Sequence, residues 1–138
     1  MAVSGYSGKV LGQKLGIKPW TRVKPRNAPG NYTQLLGQVP TDAIVSTRLR
    51  PPVDLLHIFS IARAHLSAEL RQAIAEIEQD GAIWVSWPKK TSGVQTDLTE
   101  DVIREVALPM GLVDVKVCAV DETWSGLKLV IRKSLRKT

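Results

Sequence analysis

The chain has 138 residues, enough for one domain that buries roughly 65–70% of its unfolded surface. A hydrophobic share of 43% and a charged share of 23% describe a soluble globule, and no apolar run approaches the ~18 residues of a membrane span. The formal net charge of +6 is unevenly spread: residues 1–41 carry six basic side chains and no acid, and residues 132–138 four and none. The stretch between holds nine basic against thirteen acidic residues.

In chain order, residues 7–16 predict a short helix, with Ser7 as N-cap, Val10, Leu11 and Leu15 on one side, and Gly16 as its stop. A first strand follows over 21–26, where only Val23 is clearly apolar and Pro25 argues against an unbroken central strand. Asn27-Ala28-Pro29-Gly30 reads as a turn, and Asn31 caps a short helix through Leu36, closed by Gly37. A short strand over 43–48 centres on Ile44 and Val45. Residues 53–61 are an apolar run broken by Asp54 and His57, the pattern of a buried parallel strand. The clearest helix covers 64–79, with Leu66, Leu70, Ile74 and Ile77 in one stripe and Gly81 in C-cap territory.

Residues 82–90 are the centre of the chain. Ile83, Val85 and Trp87 fall on one face and Ala82, Trp84 and Ser86 on the other, so both faces must be covered, as in a central parallel strand. Pro88 ends it. A polar loop over 89–96 leads to Asp97, which with Glu100 makes a capping-box-like start for a helix carrying Val102, Ile103, Val106 and Ala107 inward as far as Pro109 and Gly111. Two strands close the chain. Over 113–119, Val113, Val115, Val117 and Ala119 alternate with Asp114, Lys116 and Cys118; over 124–132, Leu127, Leu129 and Ile131 share a face opposite Lys128, Val130 and Arg132. The residues 121–123 between them suit a hairpin. Strands alternating with helices and a final hairpin predict a single α/β three-layer sandwich over 1–138, its sheet mostly parallel and ending antiparallel. The basic segment 1–26 and basic tail 132–138 flank it.

Ligands of open α/β sheets sit outside the carboxyl ends of the strands, which points to Lys89, Lys90, Thr91, Ser92 and Gly93 after the central strand. Two cations, hydroxyls and a flexible glycine before a helix suit a phosphate or carboxylate, although the lysines precede the glycine and make no Walker motif. His57, flanked by apolar residues in mid-strand, reads as a satisfied core histidine; His65 pairs with no nucleophile or metal partner. Two histidines and one cysteine give no metal-ligand spacing, so no metal site is expected. Cys118 reads as a small strand-filling thiol, with Lys116 able to favour its thiolate. Asp121 and Glu122 read as solvated turn acids. Trp84 and Trp87 read as core; Trp20 and Trp124, at element edges, could serve as interaction platforms. The basic ends could take an anionic ligand or nucleic acid, or could dock on the acidic body. The opening residues hold no apolar h-region, so secretion is not expected, and a lone cysteine suits a reducing cytosol, so a cytoplasmic protein is expected.

The runs Trp-Val-Ser-Trp-Pro-Lys-Lys-Thr-Ser-Gly-Val (84–94) and Thr-Asp-Leu-Thr-Glu-Asp-Val (96–102) resemble the bacterial domain-of-unknown-function three-zero-five-two family. So do Gly-Leu-Val-Asp-Val-Lys-Val-Cys-Ala-Val-Asp (111–121), Trp-Ser-Gly-Leu-Lys-Leu-Val (124–130), and the N-terminal runs at 5–9 and 14–19. Trp20 stands where the family's Lys-Pro-Gly turn has glycine. The family implies no activity. Residues 53–59, the helix after them, 80–86 and the closing hairpin are similar to the distal half of class I methyltransferases, which implies a Rossmann-like sheet of spatial order 2-1-3-4-6-5. That fold places a glycine-rich turn after its first strand, where the backbone meets the cofactor. Here the turn is Asn27-Ala28-Pro29-Gly30, and Arg48 and Arg50 replace the acidic residue expected after the second strand. A degenerate methyltransferase-like fold is therefore expected, with no cofactor, S-adenosylmethionine being disfavoured, and a non-catalytic binding or regulatory role. The alternative is a small enzyme or nucleotide- or anion-binding protein using a cleft bounded by Asn27, Gly30, Ser60, Lys89, Lys90, Ser92 and Gly93. A protein partner or second copy on the C-terminal hairpin is a third expectation.

Overall fold

A computed structural model of the chain describes residues 9–137. Its helices are Leu11–Leu15 (α1), Tyr32–Leu36 (α2), Arg63–Glu76 (α3) and Glu100–Ala107 (α4). Its strands are Arg22–Arg26 (β1), Ile44–Val45 (β2), Val53–Phe59 (β3), Ile77–Pro88 (β4), Leu112–Ala119 (β5) and Trp124–Ile131 (β6). They form one six-stranded sheet in the order β2-β1-β3-β4-β6-β5, the order that the methyltransferase likeness implied. β1 to β4 run parallel, while β6 lies antiparallel to both β4 and β5.

Alternation along β4 builds two cores. Ile83, Val85 and Trp87 join Leu56 and Ile58 of β3 beneath α3 and α4, with Leu66, Leu70 and Ile103. Trp84 joins Leu55 and Phe59 on the opposite face, beneath α1 and α2, with Leu11, Leu15 and Leu36. The Trp84 indole N–H donates to the Leu15 carbonyl at 3.1 Å and ties α1 to the sheet. Both faces of the central strand are thus covered, and the three-layer sandwich stands.

Several local expectations change. Ser7 lies outside the described residues; α1 begins at Leu11, with Val10 at its N-cap position and no side-chain cap. Pro25 is accommodated between two strands because β2 covers only Arg22 and Val23, leaving the outer edge of β1 unpaired beyond them. Helix α3 stops at Glu76 instead of residue 79, and Ile77 is already extended. Gly81 is no C-cap. Val53 pairs with Ile77 but Leu55 with Ala82, so β4 carries extra residues there, and a Cβ on Gly81 would come within 2.9 Å of the Asp54 carbonyl oxygen. Asp97 does not cap α4: Thr99 does, its hydroxyl accepting the Val102 N–H at 3.1 Å. In β5 a bulge between Asp114 and Lys116 reverses the expected faces, leaving Val115 and Val117 exposed and packing Cys118 on the α1 side. The hairpin at 121–123 forms as expected, but Asp121 builds it, accepting the N–H groups of Thr123 (2.8 Å) and Trp124 (2.7 Å).

Candidate functional site

β1 leads through α2 to β2 on one side, and β3 returns to the other side of β1, so strand order reverses between β1 and β3. A crevice at such a point, beyond the carboxyl ends of the strands, is where this architecture holds ligands. Asn27 directly follows β1 and Ser60 directly follows β3, so both expected residues stand at the carboxyl ends of the strands flanking that point. Glu69, from the first half of α3, then bridges them. Its Oε2 accepts from Asn27 Nδ2 at 3.1 Å and its Oε1 from the Ser60 hydroxyl at 2.8 Å. The Ser60 N–H is used as well, donating to the Ser86 carbonyl at 2.9 Å. Asn27 sits at φ 58°, a left-handed conformation that asparagine tolerates. Gly30 is exposed, and a Cβ there would meet no described atom within 4 Å, so no close approach requires glycine.

On the α3 side of β1, Lys24 Nζ donates to Glu76 Oε1 at 3.0 Å, and Arg26 Nη2 to both Glu76 oxygens at 2.9 and 3.0 Å. Burial pushes the Glu76 carboxyl up, but the hydrogen bonds and charges of Lys24 and Arg26 outweigh it and hold the group below its ordinary value. On the opposite face of the sheet, toward α2, His57 has no exposed surface. Its Nδ1 lies 2.8 Å from the Tyr32 hydroxyl and its Nε2 2.7 Å from the Ser86 hydroxyl, and its ring stacks on Phe59 at 4.4 Å. Both hydroxyls can donate or accept, so the neutral ring is satisfied in either tautomer. Burial lowers its pKa to about 3. It is a core histidine, as its apolar neighbours suggested.

Among the described residues, Lys89, Lys90, Ser92 and Gly93 make no hydrogen bond to the Asn27–Glu69–Ser60 bridge. The Lys89 N–H donates to the Thr123 carbonyl at 2.8 Å, turning this end toward the hairpin. The Ser92 hydroxyl donates to the Lys89 carbonyl (2.7 Å) and accepts the Val94 N–H (3.1 Å), and Gly93 takes φ 78° to close the turn. Lys90 lines a cavity of about 400 Å³ together with Trp87, Val94, Thr96, Thr99 and Glu100. The Thr96 hydroxyl donates to the Ile61 carbonyl at 2.6 Å, and Asp97 Oδ1 accepts the Arg63 N–H at 2.8 Å, so the loop is latched over the start of α3. Asp97 serves α3, not α4.

Several side chains of the basic ends are engaged within the protein. Lys14 Nζ donates to the Ala119 carbonyl at 3.1 Å, and Arg22 donates to the carbonyls of Pro52 and Arg50. In the tail, Arg136 Nε donates to the Ile131 carbonyl at 2.9 Å and the Lys137 N–H to Gln79 Oε1 at 2.8 Å. Burial pushes the Cys118 thiol up against the opposing charges of Lys14, Lys116 and Lys89. Sequence reasoning missed Glu69 and Glu76, because a carboxylate on a helix's polar face gives no sign of which distant strand end it meets.

The signature of the DUF3052 family, described as proteins of unknown function, spans residues 59–133. The chain belongs to this family. No curated protein sequence matches it. Among solved structures it is similar to a protein from Sulfolobus solfataricus assigned to the type 11 methyltransferases, with a TM-score of 0.60, 13% identity, and coverage of 86% of this chain and 87% of that one. It is also similar to a SAM-dependent methyltransferase from Aquifex aeolicus, with a TM-score of 0.58, 8% identity, and coverage of 86% and 87%. A third is the 1,6-didemethyltoxoflavin-N1-methyltransferase of Burkholderia thailandensis, with a TM-score of 0.56, 12% identity, and coverage of 90% and 76%. Such identities establish a shared fold: α/β, Rossmann-like and methyltransferase-like. Among the described residues no helix is long and apolar enough to cross a membrane.

Proposed function

We propose that this DUF3052 protein is a non-catalytic binding or regulatory module on a degenerate methyltransferase-like fold, and that it takes no S-adenosylmethionine. The observation that carries this reading is the Glu69 bridge. The point between the carboxyl ends of β1 and β3 is bridged by a carboxylate whose two oxygens are held by Asn27 and Ser60, the residues best placed to greet a cofactor there. The turn after β1 supports it, since Gly30 is used for no close approach and Pro29 precedes it. The residues following β2 are Ser46, Thr47 and Arg48, which offer ribose hydroxyls no carboxylate. The free, half-buried Cys118 suits a reducing, cytoplasmic setting.

Millimolar S-adenosylmethionine should leave the melting temperature unchanged. A ligand at ~100 times its Kd would add roughly 2.7 kcal/mol, so a rise of several degrees overturns the reading.

A second reading rests on the cavity beside Lys90, which brings one cation together with Thr96 and Thr99 around a pocket of small-ligand size at the carboxyl end of β4. Inorganic phosphate or a nucleotide would bind weakly there, from the lysine side. Glu100, paired with Arg104, stands on the other. Replacing Lys89 and Lys90 together by Ala should abolish any phosphate-dependent stabilisation while changing stability by no more than about 0.5 kcal/mol. Retention of the phosphate effect in that variant removes this reading.

A further inference from the structure

The bulge in β5 decides where Lys116 points. Asp114 pairs with Leu129, so an unbroken register would set Val115 opposite Lys128; the extra residue instead sets Lys116 there and Val117 opposite Leu127. Bulges re-aim side chains. This one aligns two lysines directly across an antiparallel pair, where like charges are destabilising. Lys18 approaches from the turn before β1, sharing with Lys128 the wall of a cavity of about 430 Å³. Burial first, then the charges of Lys116 and Lys18, push the Lys128 ammonium below its ordinary value. Two carboxylates share that cavity: Asp54, whose Oδ2 already accepts the Arg22 N–H at 2.8 Å, and the exposed Asp80 at the β4 irregularity.

Trp20 occupies the same turn, between Lys18 and Thr21, both of which line the cavity. The turn is closed by the Thr21 N–H on the Lys18 carbonyl (3.1 Å) and the Lys18 N–H on Thr21 Oγ1 (3.0 Å). At its tip Trp20 has φ 70°, in the left-handed region, and it is 71% exposed. A bulky side chain in that conformation is strained, and an indole in solvent contributes nothing to the core. Two features that oppose folding, a repelling cation pair and a strained exposed aromatic, therefore flank one cavity.

We propose that Trp20, Lys18, Lys116 and Lys128 form a surface for single-stranded nucleic acid, the lysines meeting backbone phosphates and the indole stacking on an unpaired base. Spaced phosphates relieve the repulsion across β5 and β6, and base stacking uses the exposed ring. A duplex offers no free base face, and an acidic peptide leaves the indole idle. Neither Asn27, Ser60 nor Glu69 takes part, so this proposal and the crevice reading fail separately.

The test is fluorescence anisotropy of the full chain with labelled oligo(dT) and oligo(U), against the same length of duplex and against vesicles of anionic phospholipid. Single strands should bind, with an affinity that falls steeply as salt rises. Lys116→Gln with Lys128→Gln should flatten the logarithmic salt slope by roughly 1.4, for two phosphate contacts. Trp20→Gly, which suits the turn, should weaken single-strand binding about tenfold and leave the slope unchanged. The tail variant Lys133→Ala with Lys137→Ala should bind as the parent does. No oligonucleotide binding at low salt overturns the proposal. So does an unaltered Trp20→Gly, a preference for duplex or vesicles, or a loss confined to the tail variant. Melting temperatures of each variant separate lost contacts from lost fold.

Discussion

At the carboxyl ends of β1 and β3, polar side chains are answered from within the protein. Asn27 and Ser60 meet Glu69, Lys24 and Arg26 meet Glu76, and Tyr32 and Ser86 meet His57. Across β5 and β6 the reverse holds: Lys116 faces Lys128, and Lys18 adds a third cation. The fold alone directs attention to the first region, since open α/β sheets bind there. Electrostatics directs it to the second. A cluster whose groups satisfy one another favours the folded state, whereas like charges set opposite each other work against it. The two regions thus divide stability from recognition, and each can be broken without the other.

The largest break is at Glu76. It is mostly buried, and Arg26 already keeps Nη1 buried without a described partner. Glu76→Ala would leave the Lys24 and Arg26 charges beneath α3 uncompensated, at a cost of about 3 kcal/mol in urea-unfolding stability. A loss under about 1 kcal/mol would show that solvent already screens this pair, and the satisfied half would lose its strongest member.

Acid probes the same half through His57. Its pKa is about 3 in the fold against 6.5 in the unfolded chain, so the unfolded state takes up more protons between those values. The stability gained from keeping it neutral is complete above pH 6.5 and is lost as pH falls toward 3. At pH 5 the loss should be about 2 kcal/mol relative to pH 7. Glu76, whose carboxyl is held below its ordinary value, contributes above the usual carboxylate range and is lost only at more acid pH. The His57 ring carbon shifts of the folded chain at pH 5 should remain those of neutral imidazole; a protonated ring there refutes the buried network.

Glu69→Ala should cost less, about 1 kcal/mol, because the bridge is partly exposed and solvent replaces its hydrogen bonds. The useful readout is the cofactor: S-adenosylmethionine should fail to stabilise this variant too. If it stabilises the variant but not the parent, the bridge is a plug over a competent site, and the crevice is occluded instead of degenerate.

What was legible in the sequence follows the range of the interactions involved. The two faces of β4 were readable because Ile83, Val85 and Trp87 alternate with Trp84 and Ser86, and burial enforces that period. Pairing order came from likeness to a known fold. Asp97 and Thr99 both suit a helix cap locally, and the choice fell to Thr99 because the Arg63 N–H, thirty-four residues away, takes Asp97. The bulges at Gly81 and Val115 answer to partners on neighbouring strands, so simple alternation misplaced Val115, Val117 and Cys118. Glu69 and Lys128 were silent for the same reason. Trp20 was visible as an oddity where a glycine was expected in the turn, and its φ of 70° gives that oddity a physical meaning.

The smallest expected effect is the most pointed test of the contrast. Lys116→Gln keeps the side-chain stem on the sheet and removes one charge from the pair across β5 and β6. In the satisfied half, losing a charge destabilises; here it should stabilise, by a few tenths of a kcal/mol at low ionic strength, because like charges directly opposite repel. The gain should disappear near 1 M salt, where the screening length of about 3 Å is shorter than the separation of the side chains. The Lys128 ammonium should return toward its ordinary value in the variant, since Lys116 is one of the charges depressing it, although burial, the larger cause, remains. Its titration by NMR reads this directly. If Lys116→Gln destabilises the chain and leaves Lys128 unmoved, the long hydrogen bond from Lys116 Nζ to the Lys14 carbonyl, at 3.5 Å, holds the hairpin against α1. The pair would then belong to the satisfied half.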